Sequence, residues 1–170
     1  MKNMFIKGVV LSFLLVLVAS CNTNQEKSTE KEDDLEQIKK EIQARENEFA
    51  EIYNSGELKK IGYYADDAIT FYQNMAPITN KAERLEFLKP DLNSNSNIIS
   101  FKTNEVFASK DGDQVLEIGA YTVVDSTSAV ISSGNYMSLF EKRDGKYVCL
   151  RDMSASDMPF DDYDDYEDEE

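Results

Sequence analysis

The sequence predicts an α+β domain: a curved antiparallel sheet with three N-terminal helices packed on one face. Three observations carry this. Helical periodicity comes early in the chain and strand alternation later, the order expected of an α+β domain. Leu35, Ile38, Ile42, Phe49 and Ile52 recur at spacings of three, four and seven, as on one face of a helix. Asp144-Gly145 separates two runs of alternating character, residues 134–143 and 146–154. Asp-Gly in that place signals a two-residue hairpin, because a type I′ turn needs positive φ at both central residues.

Residues 1–21 stand outside the fold. Lys2 and Lys7 give a basic start, residues 9–18 are apolar except for Ser12, and small residues lead to Cys21. This is the layout of a secretory signal peptide, too short for a membrane-spanning helix. The junction Val18-Ala19-Ser20-Cys21 resembles the bacterial lipobox. The resemblance implies a lipid on Cys21 and anchoring in the bacterial cell envelope. In a Gram-negative envelope the same resemblance implies the outer membrane, since Asn22 stands where an aspartate is associated with inner-membrane retention. Residues 22–33 are polar and without apolar periodicity, and read as a disordered tether.

The folded domain is expected over residues 34–158. Asp34 caps the first helix, with Gln37 three residues on as in a capping box, and Gly56 ends it as the C′ residue. Arg45 falls on the apolar stripe. It either buries its stem and lets its head reach water, or points a cation into an enclosed cavity. Residues 57–64 read as a short second helix, broken by Asp66-Asp67, and residues 68–72 as a strand. Asn80 caps a third helix, 81–88, closed by Pro90. Strands follow at 98–108 and 114–124, then the hairpin. With a regular register, one hairpin face carries Asn135, Met137, Leu139, Val148, Leu150, Asp152 and Ser154. The other carries Tyr136, Ser138, Phe140, Tyr147, Cys149, Arg151 and Met153. Both are largely apolar, so the hairpin is expected mid-sheet and covered on both sides.

Composition narrows the chemistry. The chain has no histidine, which excludes Ser-His-Asp and Cys-His catalysis and most zinc sites. It has no glycine-rich phosphate loop. With Cys21 lipidated, Cys149 has no partner for an intramolecular disulfide, and within a strand it reads as a small buried hydrophobe. The net charge is −15, and nine carboxylates with no base lie from Asp157 onward. Residues 159–170 are a solvating acidic tail whose spacing does not fit an EF-hand loop. No metal or cofactor is called for, and nucleic acid is not a partner for so acidic a surface.

The runs GELKKIGYYADDAITFY, KAERLEFL and GNYMSLFEKRDGKYVCLRDMSASD resemble the nuclear transport factor 2-like superfamily, closest to its SnoaL-like and ketosteroid-isomerase-like members. The resemblance spans residues 34–158 and implies a cone, a bent antiparallel sheet closed by three helices around a cavity. It implies that Asn135, Met137, Leu139, Leu150, Asp152 and Ser154 line that cavity. Ketosteroid isomerases use a base carboxylate, a tyrosine and a protonated aspartate. Those positions match Tyr72, Phe49 and Met137 here, so steroid isomerisation by that mechanism is not expected.

Asp152 is the carboxylate left to consider. In an apolar cavity, desolvation would raise its pKa and make it an acid or base; alternatively Arg45 pairs with it and keeps it ionised. Tyr72 and Asn135 are candidate donors beside it, and one of Tyr63 and Tyr64, at the end of the second helix, is a candidate at the cavity mouth. Arg45, Phe49, Met137, Leu139 and Leu150 complete the candidate ligand-binding set. Three functions follow. The chain is a lipoprotein binding a small hydrophobic molecule, or an enzyme of cyclase, isomerase or hydratase type using Asp152, or a non-catalytic interaction module. Phe101, Phe107, Tyr121, Phe140 and Tyr147 would furnish a sheet surface for a homodimer.

Overall fold

A computed structural model describes residues 23–92 and 97–158. The leader, Cys21 and the tail from residue 159 lie outside the described residues. The chain divides into two units, residues 1–37 and 38–170, and the sheet and cavity belong to the second. No helix among the described residues is long and apolar enough to cross a membrane.

Helix α1 spans Thr23–Asn54. It begins well before Asp34, so residues 23–33, read above as a disordered tether, are helical. Glu, Gln and Lys, which dominate there, are good helix formers without any apolar stripe. Beyond residue 38 the buried stripe is Ile42, Arg45, Glu46, Phe49, Ala50 and Tyr53. The helix closes as expected. Gly56 has φ 77°, its N–H donates to the Tyr53 carbonyl, and that of Glu57 donates to Ile52. This is a Schellman end, which favours glycine.

The expected second helix is only a 3-10 turn, Leu58–Lys60. The chain then extends, and the Tyr63 carbonyl accepts the Cys149 N–H at 2.8 Å. Strand β1 runs Tyr64–Phe71, so Asp66-Asp67 sit inside a strand, exposed to water, instead of breaking a helix. Helix α2 spans Lys81–Leu92, continuing past Pro90. Its start is the N-cap expected at Asn80: the Glu83 N–H donates to Asn80 Oδ1 at 2.9 Å, and Asn80 Nδ2 donates to Glu83 Oε2 at 3.0 Å.

Strands β2 (Ile98–Ala108), β3 (Gln114–Val124), β4 (Val130–Arg143) and β5 (Lys146–Ser156) follow. Asp144 and Gly145 both have positive φ, 51° and 80°, and Arg143 faces Lys146 across the turn. The five-stranded sheet has the order β1-β5-β4-β3-β2. It is mixed rather than antiparallel, because β1 pairs parallel with β5. Two α-helices are described, not three.

The register of the hairpin differs from the regular one. Phe140 faces Cys149, but Leu139 faces Arg151, leaving Leu150 as an extra residue. This β-bulge moves everything after it by one position. Asp152 therefore lies opposite Ser138, not Met137. The inner face carries Tyr136, Ser138 and Phe140 from β4 with Tyr147, Cys149, Asp152 and Ser154 from β5. Phe140, Val115, Cys149 and Ile42 are fully buried at its centre. Of the aromatics expected to offer a dimer surface, Phe140 and Tyr147 are buried in the core, Phe101 and Tyr121 line the cavity, and only Phe107 is exposed.

Candidate functional site

Between the inner face of the sheet and the two helices lies a cavity of about 790 Å³, within the range of small-molecule sites. Its walls are aromatic. Phe49 of α1 packs against Tyr63, Tyr64 and Phe101, with ring centroids 5.0, 6.0 and 5.7 Å away. Tyr72 stacks on Phe87 of α2 at 4.2 Å. Two tyrosines are laid over glycines of the neighbouring strand. A Cβ on Gly119 would meet Tyr136 Cζ at 2.2 Å, and one on Gly134 would meet Tyr121 Cε1 at 2.7 Å. Only a bare backbone leaves room for those rings, both of which line the cavity.

A cluster of buried polar groups lies against the cavity. Glu46 of α1 and Glu117 of β3 are both buried and hydrogen-bonded carboxyl to carboxyl. Tyr63 Oη donates to Glu46 Oε1. Tyr136 Oη donates to Glu117 Oε1 at 2.9 Å, and Thr103 Oγ1 donates to the same oxygen at 2.6 Å. Burial raises the pKa of Glu46 well above the usual carboxylate range, and the neighbouring Glu117 raises it further. Burial raises Glu117 as well. Glu117 Oε2 is buried without an N–H or hydroxyl donor. The pair therefore shares one proton, since two facing carboxylates in a low dielectric do not both ionise.

Asp152 stands beside this pair. Burial pushes its pKa up to about 6, against the opposing effects of the Thr70 and Tyr64 hydroxyls and Arg84. Tyr64 Oη donates to Oδ2 at 3.1 Å, while Oδ1 is buried with no hydrogen bond. Arg84 holds its place through Thr70 Oγ1 (2.9 Å) and the Ala68 carbonyl (2.6 Å), and stacks 4.5 Å over the Tyr64 ring. Asp152 is thus ionised at neutral pH, yet close enough to titration to accept a proton from a bound group.

The structure brings together Phe49, Tyr64, Tyr72 and Asp152 of the sequence candidates. It separates the others. Arg45 does not meet Asp152: it donates to the Gly62 carbonyl at 2.5 Å and pairs with Glu48. Asn135 and Met137 are exposed on the outer face, and Leu139 and Leu150 do not line the cavity. Asn135, Met137 and Leu139 share the outward face of β4, and the bulge at Leu150 is what parts Asp152 from them. Glu46, Glu117, Tyr136, Ser138 and Arg84 were not singled out as a site from the residues, whereas Tyr63, named with Tyr64 for the cavity mouth, lines the cavity as Tyr64 does. Glu46 and Arg84 follow apolar-stripe spacing on their helices, a weak signal; nothing in the sequence pairs Glu46 with Glu117. Cys149 is fully buried and its thiol pKa is pushed up, chiefly by burial, so it is no nucleophile at neutral pH. Among the described residues no group of three or more Cys, Asp or Glu side chains is placed to hold a metal ion.

No protein-family model matches this sequence, and no curated protein is significantly similar to it. Solved structures are similar in three dimensions. A nuclear transport factor 2-like protein with a cystatin-like fold from Novosphingobium aromaticivorans superposes with a TM-score of 0.61 at 10% identity, covering 84% of this chain and 94% of its own. The fold is the cystatin-like one. A protein with that fold from Nostoc punctiforme gives 0.60 at 14% identity, covering 71% and 92%. A ketosteroid isomerase-like protein from Erwinia carotovora atroseptica gives 0.55 at 16%, covering 70% and 95%. Identities this low establish the fold alone, and the chemistry has to come from the site. Of the three positions matched to isomerase catalytic groups, Tyr72 and Phe49 line the cavity and Met137 faces outward.

Proposed function

We propose that this chain is a cone-shaped lipoprotein, anchored through Cys21 in the cell envelope, that holds a small hydrophobic molecule in its cavity. The observation that carries the reading is the largely aromatic cavity of about 790 Å³ with Glu46 and Asp152 among its few charged lining residues. Apolar walls supply the driving force for a hydrophobic guest, and a few converging polar groups orient it. A second reading is favoured by Asp152, whose pKa of about 6 and bond from Tyr64 suit proton transfer to or from a bound substrate. The aromatic cavity serves both readings, and binding is the step they share.

The test is to fill the cavity. Ser154 lines it from β5 and is half-buried, so Ser154→Trp places a ring where the guest would sit. A hydrophobic fluorescent probe titrated into the wild-type chain is expected to bind, with affinity reduced by about tenfold or more in Ser154→Trp. Equal affinity in a variant with an unchanged circular-dichroism spectrum would place the probe elsewhere and remove the cavity from consideration.

A further inference from the structure

We propose that the facing carboxyls of Glu46 and Glu117 form a proton-operated latch on the cavity: α1 lies closed against the sheet while the pair holds its shared proton, and loosens when that proton leaves. The inference rests on the binding reading above for what the latch admits; the latch itself belongs to the junction of helix and sheet. Glu46 projects from α1 and Glu117 from β3, and their exposures are 1% and 0%. The two carboxyls are hydrogen-bonded to each other, so the contact between these elements includes a pair of acids.

The groups facing the pair come from each neighbouring element. Tyr63, just before β1, donates to Glu46. Thr103 of β2 and Tyr136 of β4 donate to Glu117. Asp152 and Cys149 of β5 stand beyond them. Among the described residues the principal groups acting on the pair include no lysine or arginine. Three hydroxyls serve one carboxylate charge. A second charge would face the first, with Asp152 adding to the repulsion, where water does not reach. Hydrating that charge requires α1 to part from β3, and the cavity gives water a way in, because Glu46 lies on its wall.

The other ties of α1 do not depend on this proton. Gln43 Nε2 donates to the Phe101 carbonyl at 3.1 Å, and Gln43 Oε1 accepts the Thr103 N–H at 2.8 Å. Asn54 does the same with Ile99, donating at 2.9 Å and accepting at 3.0 Å. These amides meet residues 99, 101 and 103 along the outer edge of β2 as a neighbouring strand would, and an amide has no proton to lose in this range. Arg45 holds the Gly62 carbonyl on the other flank. Loss of the shared proton therefore loosens the wall formed by Glu46, Phe49 and Tyr53 while α1 stays hung from β2.

Burial raises both carboxyls, and the facing Glu117 raises Glu46 further. The closed form is thus fully stabilised in acid and is lost as the pH rises through the folded pKa. Near-ultraviolet circular dichroism of the purified full chain reads the packing of Phe49, Tyr53 and Tyr63. That signal is expected to fall between about pH 5 and about pH 9, with the far-ultraviolet spectrum unchanged. N-phenylnaphthylamine, a fluorophore that stays neutral over this range, should lose affinity about tenfold for each pH unit beyond the transition, because the loosened wall no longer offers its rings. Both changes should vanish in Glu46→Gln and in Glu117→Gln, and persist in Asp152→Asn, which removes the neighbouring buried acid. A flat wild-type spectrum, a transition that neither Gln variant alters, or one that Asp152→Asn abolishes overturns the latch. Fluorophore affinity that is constant across the range overturns it too and leaves the cavity reading standing. A spectral transition with no fluorophore bound at any pH supports the latch and removes the cavity reading.

Discussion

Asp152 keeps its charge at neutral pH against its surroundings, and that has a sign. Its folded pKa is about 6, above an unfolded aspartate near 3.9. Folding therefore favours the protonated form. The stabilisation is fully present below the unfolded value and is lost as the pH rises through 6, so at pH 8 the ionised group costs on the order of 2 kcal/mol. Asp152→Asn should raise the melting temperature by several degrees at about pH 8 and by nothing at about pH 4, read by thermal denaturation of both chains across that range. A gain equal at both ends would show that charge burial is not the cause. The Glu46–Glu117 pair behaves differently. Glu46→Gln keeps a donor for Glu117 and should be nearly neutral. Glu46→Ala takes away the facing carboxyl, leaving Tyr136 and Thr103 as the donors to a buried Glu117, and should cost about 3 kcal/mol. Urea denaturation near neutral pH distinguishes the two; equal losses would mean that Glu46 matters for its volume and not its proton.

At the scale of elements, the sheet is shaped by residues that interrupt its regularity. The bulge at Leu150 delivers Asp152 and Ser154 to the cavity. Gly119 and Gly134 accept Tyr136 and Tyr121, which become cavity walls. Gly119→Ala would drive a methyl into the Tyr136 ring, whose hydroxyl bonds Glu117. The expected cost is about 2–3 kcal/mol. In a Tyr136→Ala background the same substitution should cost under about 1 kcal/mol, because the clash is gone. Denaturant melts of the four chains in this cycle measure the coupling; additive losses would put the strain elsewhere. Element positions were largely legible beforehand: β2, β3, the Asp144-Gly145 turn, the Asn80 cap and the Gly56 stop follow from local chemistry. Residues 57–64 were not, because a short segment bearing Leu58, Ile61, Tyr63 and Tyr64 suits a helix as well as a turn and strand. The parallel pairing of β1 with β5 sets which of those wins.

For the molecule as a whole, the proposed role joins two parts of the chain that do separate work: a leader ending in Cys21 and a cavity built after residue 38. If Cys21 carries the lipid, Cys21→Ala should move the protein from the membrane fraction to the soluble fraction of expressing cells, with probe affinity unchanged. A variant still bound to membranes would show that the anchor lies elsewhere. The sheet order explains why the cavity is possible. Placing β1 at the edge beside β5 carries Tyr64 and Tyr72 to the side where Asp152 emerges, and β1 brings Thr70 and the Ala68 carbonyl under Arg84 of α2.

What the sequence by itself determined is whatever depends on near neighbours: helix caps and stops, the hairpin turn, most strand positions, and the exclusion of histidine chemistry. It also marked Asp152, Tyr64, Tyr72 and Phe49 as residues to watch. The tertiary structure decided which of the marked residues meet. Strand alternation has a period of two, so one bulge reverses the face of every later side chain: Asn135, Met137 and Leu139 lie on the outer face of β4, and the bulge at Leu150 takes Asp152 off that face and sets it opposite Ser138. The Glu46–Glu117 pair joins positions far apart in the chain, held together by burial and a shared proton. No local pattern encodes such a meeting, because its energy exists only once helix and sheet have excluded water between them.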